Sequence, residues 1–109
     1  MLDTTGLITA VDRFADRLRS TPQSRLQQGV AAEALVAARE LSAMAQRAEA
    51  PDLPPRVMPD AGMFSVGDQV AVAGRDLAVA LETASSRELD EAVRYVEEAA
   101  ARAFEPVGR

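Results

Sequence analysis

Apolar residues recur every three or four positions through four separate stretches of this chain. That spacing constrains the fold most, because it marks one face of an α-helix. The first stretch covers about 5–19, with Leu7, Val11, Phe14 and Leu18 in register and Ile8 and Ala15 widening the face. Asp3, Thr4 or Thr5 can cap its start. A second, covering about 22–49, opens at Thr21-Pro22, a capping hydroxyl before a proline suited to a first helical position. Its stripe is Leu26, Val30, Ala34, Ala37, Leu41, Met44 and Ala48, extended by Ala31, Leu35 and Ala38, and Pro51, Pro54 and Pro55 end it. The third covers about 65–84, with Val66, Val70, Ala73, Leu77, Ala80 and Leu81 inward, and Ser65-Val-Gly-Asp68 reads as a capping box. Ser85-x-x-Glu88 is a second such box, opening a stretch over 86–104 that turns Leu89, Val93, Val96, Ala100 and Ala103 inward. The expected fold is all-α, a single-domain antiparallel four-helix bundle over 1–109. Helices 3 and 4 are expected to pair as a hairpin, because at most three residues separate them.

The core of such a bundle is thin. The chain has 22 Ala against 10 Leu, 11 Val and one Ile. Alanine is the best helix former but buries little area, so helices must approach closely, and oligomerisation would supplement stability. All 12 basic residues are Arg, and Asn, Cys, His and Trp are absent. Arg in place of Lys is what GC-rich codons give, as in a high-GC bacterium. A net charge of −5 disfavours a phosphate-backbone binder, so no nucleic-acid partner is expected. Without a basic n-region, an apolar leader or a run of about 18 apolar residues, no membrane partner is expected either. The cytoplasm is the default address.

Catalytic constellations find no support. Without His or Cys there is no triad, no Cys–His pair and no zinc ligand set, and Gly62–Gly67 is not followed by the Lys-Ser/Thr of a phosphate loop. No catalytic, metal or cofactor-binding residue is assigned. Asp12 and Asp16 share a face among Arg13, Arg17 and Arg19, which reads as a solvated charged face. Asp90–Arg94 and Glu98–Arg102 read as pairs one helical turn apart. Glu33, Glu40 and Arg47 recur every seven residues beside the second stripe, where salt bridges to a neighbouring helix normally sit.

What remains are contact surfaces. The long connection 50–64 carries four prolines yet is too apolar for a disordered linker: Leu53, Val57, Met58, Met63 and Phe64 would not normally be left wet. Either it plugs one end of the bundle, or Val57, Met58, Met63 and Phe64 offer an adaptable surface to a partner. On helix 3, Gly67, Ala71, Gly74 and Ala78 form a line without bulk. Two glycines inside a helix cost on the order of 1 kcal/mol each, so a close helix contact is expected there, with helix 2 or with another chain. Val72 and Val79 fall among charges on the side expected to be wet, and at the C-terminus Phe104 and Val107 either close the bundle end or hang free.

The expected function is therefore a non-catalytic protein–protein interaction bundle, an adaptor, regulator or scaffold that binds another protein, itself as a homodimer, or both. An alternative is a helical module binding a small ligand between its helices, although no convergent polar groups are evident. A small secreted helical-hairpin protein of the WXG type ranks lower, since there is no Trp-x-Gly turn and the helices number four.

Overall fold

The computed structural model describes residues 1–105 and contains four helices and, among these residues, no strand. Helix α1 is Thr5–Arg19. Helix α2 runs in three pieces, Gln23–Arg25, a π-helical turn Leu26–Val30, and Ala31–Glu49. A 3₁₀ turn, Met63–Ser65, leads into α3, Val66–Ala80, which ends in a second one, Leu81–Thr83. Helix α4 is Ser86–Ala103. The expected all-α bundle is the observed one, with helix ends displaced by a few residues at most.

One continuous core joins all four helices, and its largest fully buried side chains include Phe14, Leu7, Leu41 and Leu77. On α2 the stripe ends one residue away from its expected course: Ala45 is buried, Met44 half-buried and Ala48 exposed.

The start of α2 departs from a regular helix. Gly29, at φ 125° and ψ −17°, sits inside the π turn, and no other residue type tolerates that backbone. A regular helix would turn Gln27 toward the core and leave Leu26 at its edge. The π turn adds one residue, which rotates the preceding segment so that Leu26 is buried and Gln27 exposed.

Two expected caps are not made. Asp68 does not close a box with Ser65, because Arg19 of α1 takes it in an ion pair. Thr21 donates its hydroxyl back to the Arg17 carbonyl, leaving Pro22 at the N-cap. The Ser85–Glu88 box is complete, and Asp3 accepts from the Thr5 amide at 2.9 Å at the start of α1. The Arg47–Glu40 pair lies within α2 instead of reaching a neighbour, and on α4 the ion pair is Arg87–Glu91.

Helix directions differ from the expected antiparallel order in two of the four close pairs. Arg19–Asp68 and Asp12–Arg75 tie α1 to α3 antiparallel. Along α1 and α4, Ala10 shares a groove with Val96 while Arg17 stacks on Phe104, so these two run parallel. Leu26 and Leu35 share a groove with Val66, and Met44 and Ala48 share one with Leu77 and Leu81, so α2 and α3 also run parallel. The close helix pairs are α2 with α3, α1 with α3, α1 with α4, and α2 with α4. Consecutive helices α3 and α4 run in opposite directions but splay apart, so the expected tight hairpin between them does not form. Two splayed hairpins, residues 5–49 and 63–103, instead clasp one another.

Candidate interaction surface

A parallel α2 and α3 oblige the connection between them to travel back along the bundle. Residues 50–62 do so as a strap on its flank and do not plug an end. Three polar side chains fix the strap's backbone. Gln46 of α2 donates to the Arg56 carbonyl at 3.0 Å and accepts from the Arg56 amide at 2.8 Å, as a neighbouring strand would. Arg39 donates to the Met58 carbonyl at 2.8 Å, and Gln69 of α3 to the Pro59 carbonyl at 2.9 Å. Asp60 accepts from the Gly62 amide and closes the final turn, where Gly62 takes φ 94°.

The apolar residues of 50–64 fall into two sets. Met58 and Met63 are half-buried against the core. Val57 and Phe64 project outward, 76% and 72% exposed, and so does Leu53. The expectation that the loop's apolar residues would avoid water therefore holds for the two methionines only. The reason is local: the polar anchors hold the backbone, so the segment stays in place without burying Leu53, Val57 or Phe64. Replacing Gln46 with Ala should release the strap without unfolding the bundle. The Arg56 amide should then exchange faster with solvent, and protease cleavage within 51–58 should quicken; unchanged exchange at Arg56 would show that Gln46 is not an anchor.

On α3 the line of small residues faces inward. Gly67, Gly74 and Ala78 are buried and Ala71 is half-buried. The neighbour is α1, and not α2 as expected. A Cβ on Gly74 would lie 3.0 Å from the Val11 Cβ and closer still to both Val11 methyls. One on Gly67 would lie 2.9 Å from the Arg19 Cγ and 3.2 Å from the Ala15 carbonyl oxygen. The stripe is thus consumed by an internal contact.

The opposite face of α3 is uncovered. Val72 and Val79 are 60% and 65% exposed and stand one heptad apart, roughly 10 Å along the axis. Asp68 and Arg75 flank them on the α1 side, where both are paired, and Asp76 lies on the strap side. Arg19 sits between Asp68 and Asp16, and hydrogen bonding to Asp68 raises its pKa further. Val57 shares a groove of about 610 Å³ with Asp76, Ser42, Gln46 and Arg56, which brings the strap alongside this face. Phe64 stands at its N-terminal end, in the 3₁₀ turn before α3. The structure thus brings Val57 to Asp76, at the border of the helix face that carries Val72 and Val79, and turns Met58 and Met63 toward the core. Sequence reasoning missed Val36, 55% exposed on α2, although its position opposite the α2 stripe was readable.

Elsewhere, Tyr95 is half-buried, and burial followed by the nearby Glu40 carboxylate pushes its hydroxyl pKa up. The Arg17 guanidinium stacks 3.8 Å above the Phe104 ring, so Phe104 closes the α1–α4 end; Val107 lies outside the described residues. Among the described residues, no three acidic side chains gather as a metal site and no helix is long and apolar enough to cross a membrane. Comparison with known proteins brings no family model, no curated protein and no solved structure to match this chain.

Proposed function

We propose that this chain is a non-catalytic interaction module of the cytoplasm, an adaptor or scaffold that binds a second copy of itself or another protein. The observation that carries the reading is the uncovered face of α3. Val72 and Val79 are left in water on a helix whose other side is packed to backbone contact, and Val57 shares a groove with Asp76 at the border of that face. Scattered single valines would need no explanation. Two at heptad spacing, bordered by charges and by an exposed strap residue, form the apolar centre and polar rim that protein contacts use.

The rival reading, a ligand held between helices, has less support. The groove beside Val57 is lined by Ser42, Gln46 and Arg56 among others, and the Gln46 amide is spent on the Arg56 backbone and on Ser42. The charged groups that remain there, Glu49, Asp76 and the Arg56 guanidinium, border an open groove on the flank, not an enclosed cavity between helices.

Val72→Asp combined with Val79→Asp tests the proposal. Both positions are exposed, so stability should fall little, by roughly 0.5 kcal/mol or less for each substitution. Light scattering at two concentrations should show concentration-dependent mass for the wild type and its loss in the variant. A wild type that neither self-associates nor loses a co-purifying protein on this substitution would sink the reading.

A further inference from the structure

The four close helix pairs share a property: each joins one residue segment, 5–49, to the other, 63–103. Neither α1 with α2 nor α3 with α4 packs closely along its length. Each splayed hairpin therefore exposes its apolar faces until the other hairpin clasps it, and the strap 50–62 is the only covalent link between the two. We infer that the partner for which each half is built can equally be the complementary half of a second copy of this chain, giving a dimer with exchanged halves. Every helix contact of the core is retained in that dimer, the Gly74–Val11 and Gly67–Arg19 approaches included.

Helix direction decides what the exchange demands of the connection. Within one chain, α3 must start beside the start of α2, so the strap retraces at least the length of α3, roughly 22 Å for 15 residues. In the exchanged dimer two bundles lie side by side and antiparallel. The end of α2 in one bundle then stands next to the start of α3 in the other. A short helix–helix turn suffices there, of the two to eight residues common in bundles (about 2–8). The long strap is thus required by closure within a chain and by nothing in the exchanged form. Its polar anchors, Arg39, Gln46 and Gln69, hold the closed monomer. The inference deepens the self-association named above but uses buried faces in place of the outer face of α3, so the two fail separately.

Deleting residues 52–60 leaves Ala50, Pro51, Ala61 and Gly62 between the helices. Their reach of roughly 14 Å is too short for closure. The shortened chain should be fully helical and dimeric, with the molar mass of two chains at every concentration at which it is folded. The full-length chain, refolded from denaturant at high concentration, should give a dimer fraction of the same kind. The chain has no cysteine, so crossing of chains can be read directly. An Asp12→Cys chain and an Arg75→Cys chain, refolded together, should be joined by a short bismaleimide, because Asp12 and Arg75 meet across the two halves. Adding Val72→Asp and Val79→Asp should leave that crosslink in place. A shortened chain that stays a folded monomer, fails to fold, or dimerises without the 12-to-75 crosslink overturns the exchange. If only the Val72→Asp and Val79→Asp chain loses its association, the outer face is the interface and the exchange is refuted.

Discussion

Gly74→Leu should be the most damaging single substitution on the surface between α1 and α3. Even a Cβ at this position meets Val11 at overlapping distance, and α1 is held there by the Arg19–Asp68 and Asp12–Arg75 pairs. Overpacking of a tight core costs about 1–3 kcal/mol and occasionally more, and a branched side chain belongs at or beyond the upper end. For a domain of this size, a loss of about 3 kcal/mol is a fall of roughly 12–24 °C in melting temperature. Gly74→Ala should do less, because alanine regains on the order of 1 kcal/mol of helix propensity. Adding Val11→Ala to Gly74→Ala removes the opposing methyls, so the two changes should be less harmful together than their sum. A double-mutant cycle with a coupling below about 0.5 kcal/mol would show that the two residues do not collide.

Phe14→Ala should cost about 3–5 kcal/mol, the range for removing a large buried ring. Phe14 is 2% exposed and meets Phe104 edge to face at a centroid distance of 6.3 Å. The many alanines of this core are too short to reach into the space. The same truncation also removes the floor under Phe104, on which Arg17 stacks. Thermal unfolding followed by circular dichroism checks it, and the end of α4 should lose hydrogen-exchange protection first. A loss under about 1 kcal/mol would mean that the helices collapse into the vacated volume, which their close approach argues against.

Much of the fold was legible because helix periodicity is a local signal. The stripe through Leu7, Val11, Phe14 and Leu18 and the Ser85–Glu88 box each depend on residues within one or two turns. Positions that failed depend on distant chain. Asp68 was read as a cap because Ser65 is three residues away, but Arg19, forty-nine positions off, bonds it instead. The parallel direction of α2 and α3 lies in the strap's anchors, and nothing in Gln46 or Arg39 announces a bond to Arg56 or Met58. Gly29 was visible as a glycine within a helical pattern, yet its role follows only from the mismatch between Leu26 and Gln27. Of the contact surface, Val72 and Val79 were readable from their position opposite the stripe. Met58 and Met63 were not separable from Val57 and Phe64, since a strap without periodicity does not tell which side chains face in.

The clasp of two hairpins also sets a schedule for synthesis. Residues 5–49 leave the ribosome first, and their core faces are covered only by residues 63–103. At elongation rates of about 5–20 residues per second, the remaining 56 residues up to 105 take roughly 3–11 s to add. Until α3 has emerged, α1 and α2 have no helix to close against. The nascent N-terminal half must wait as a loose helical segment, and on a polysome it waits beside identical halves.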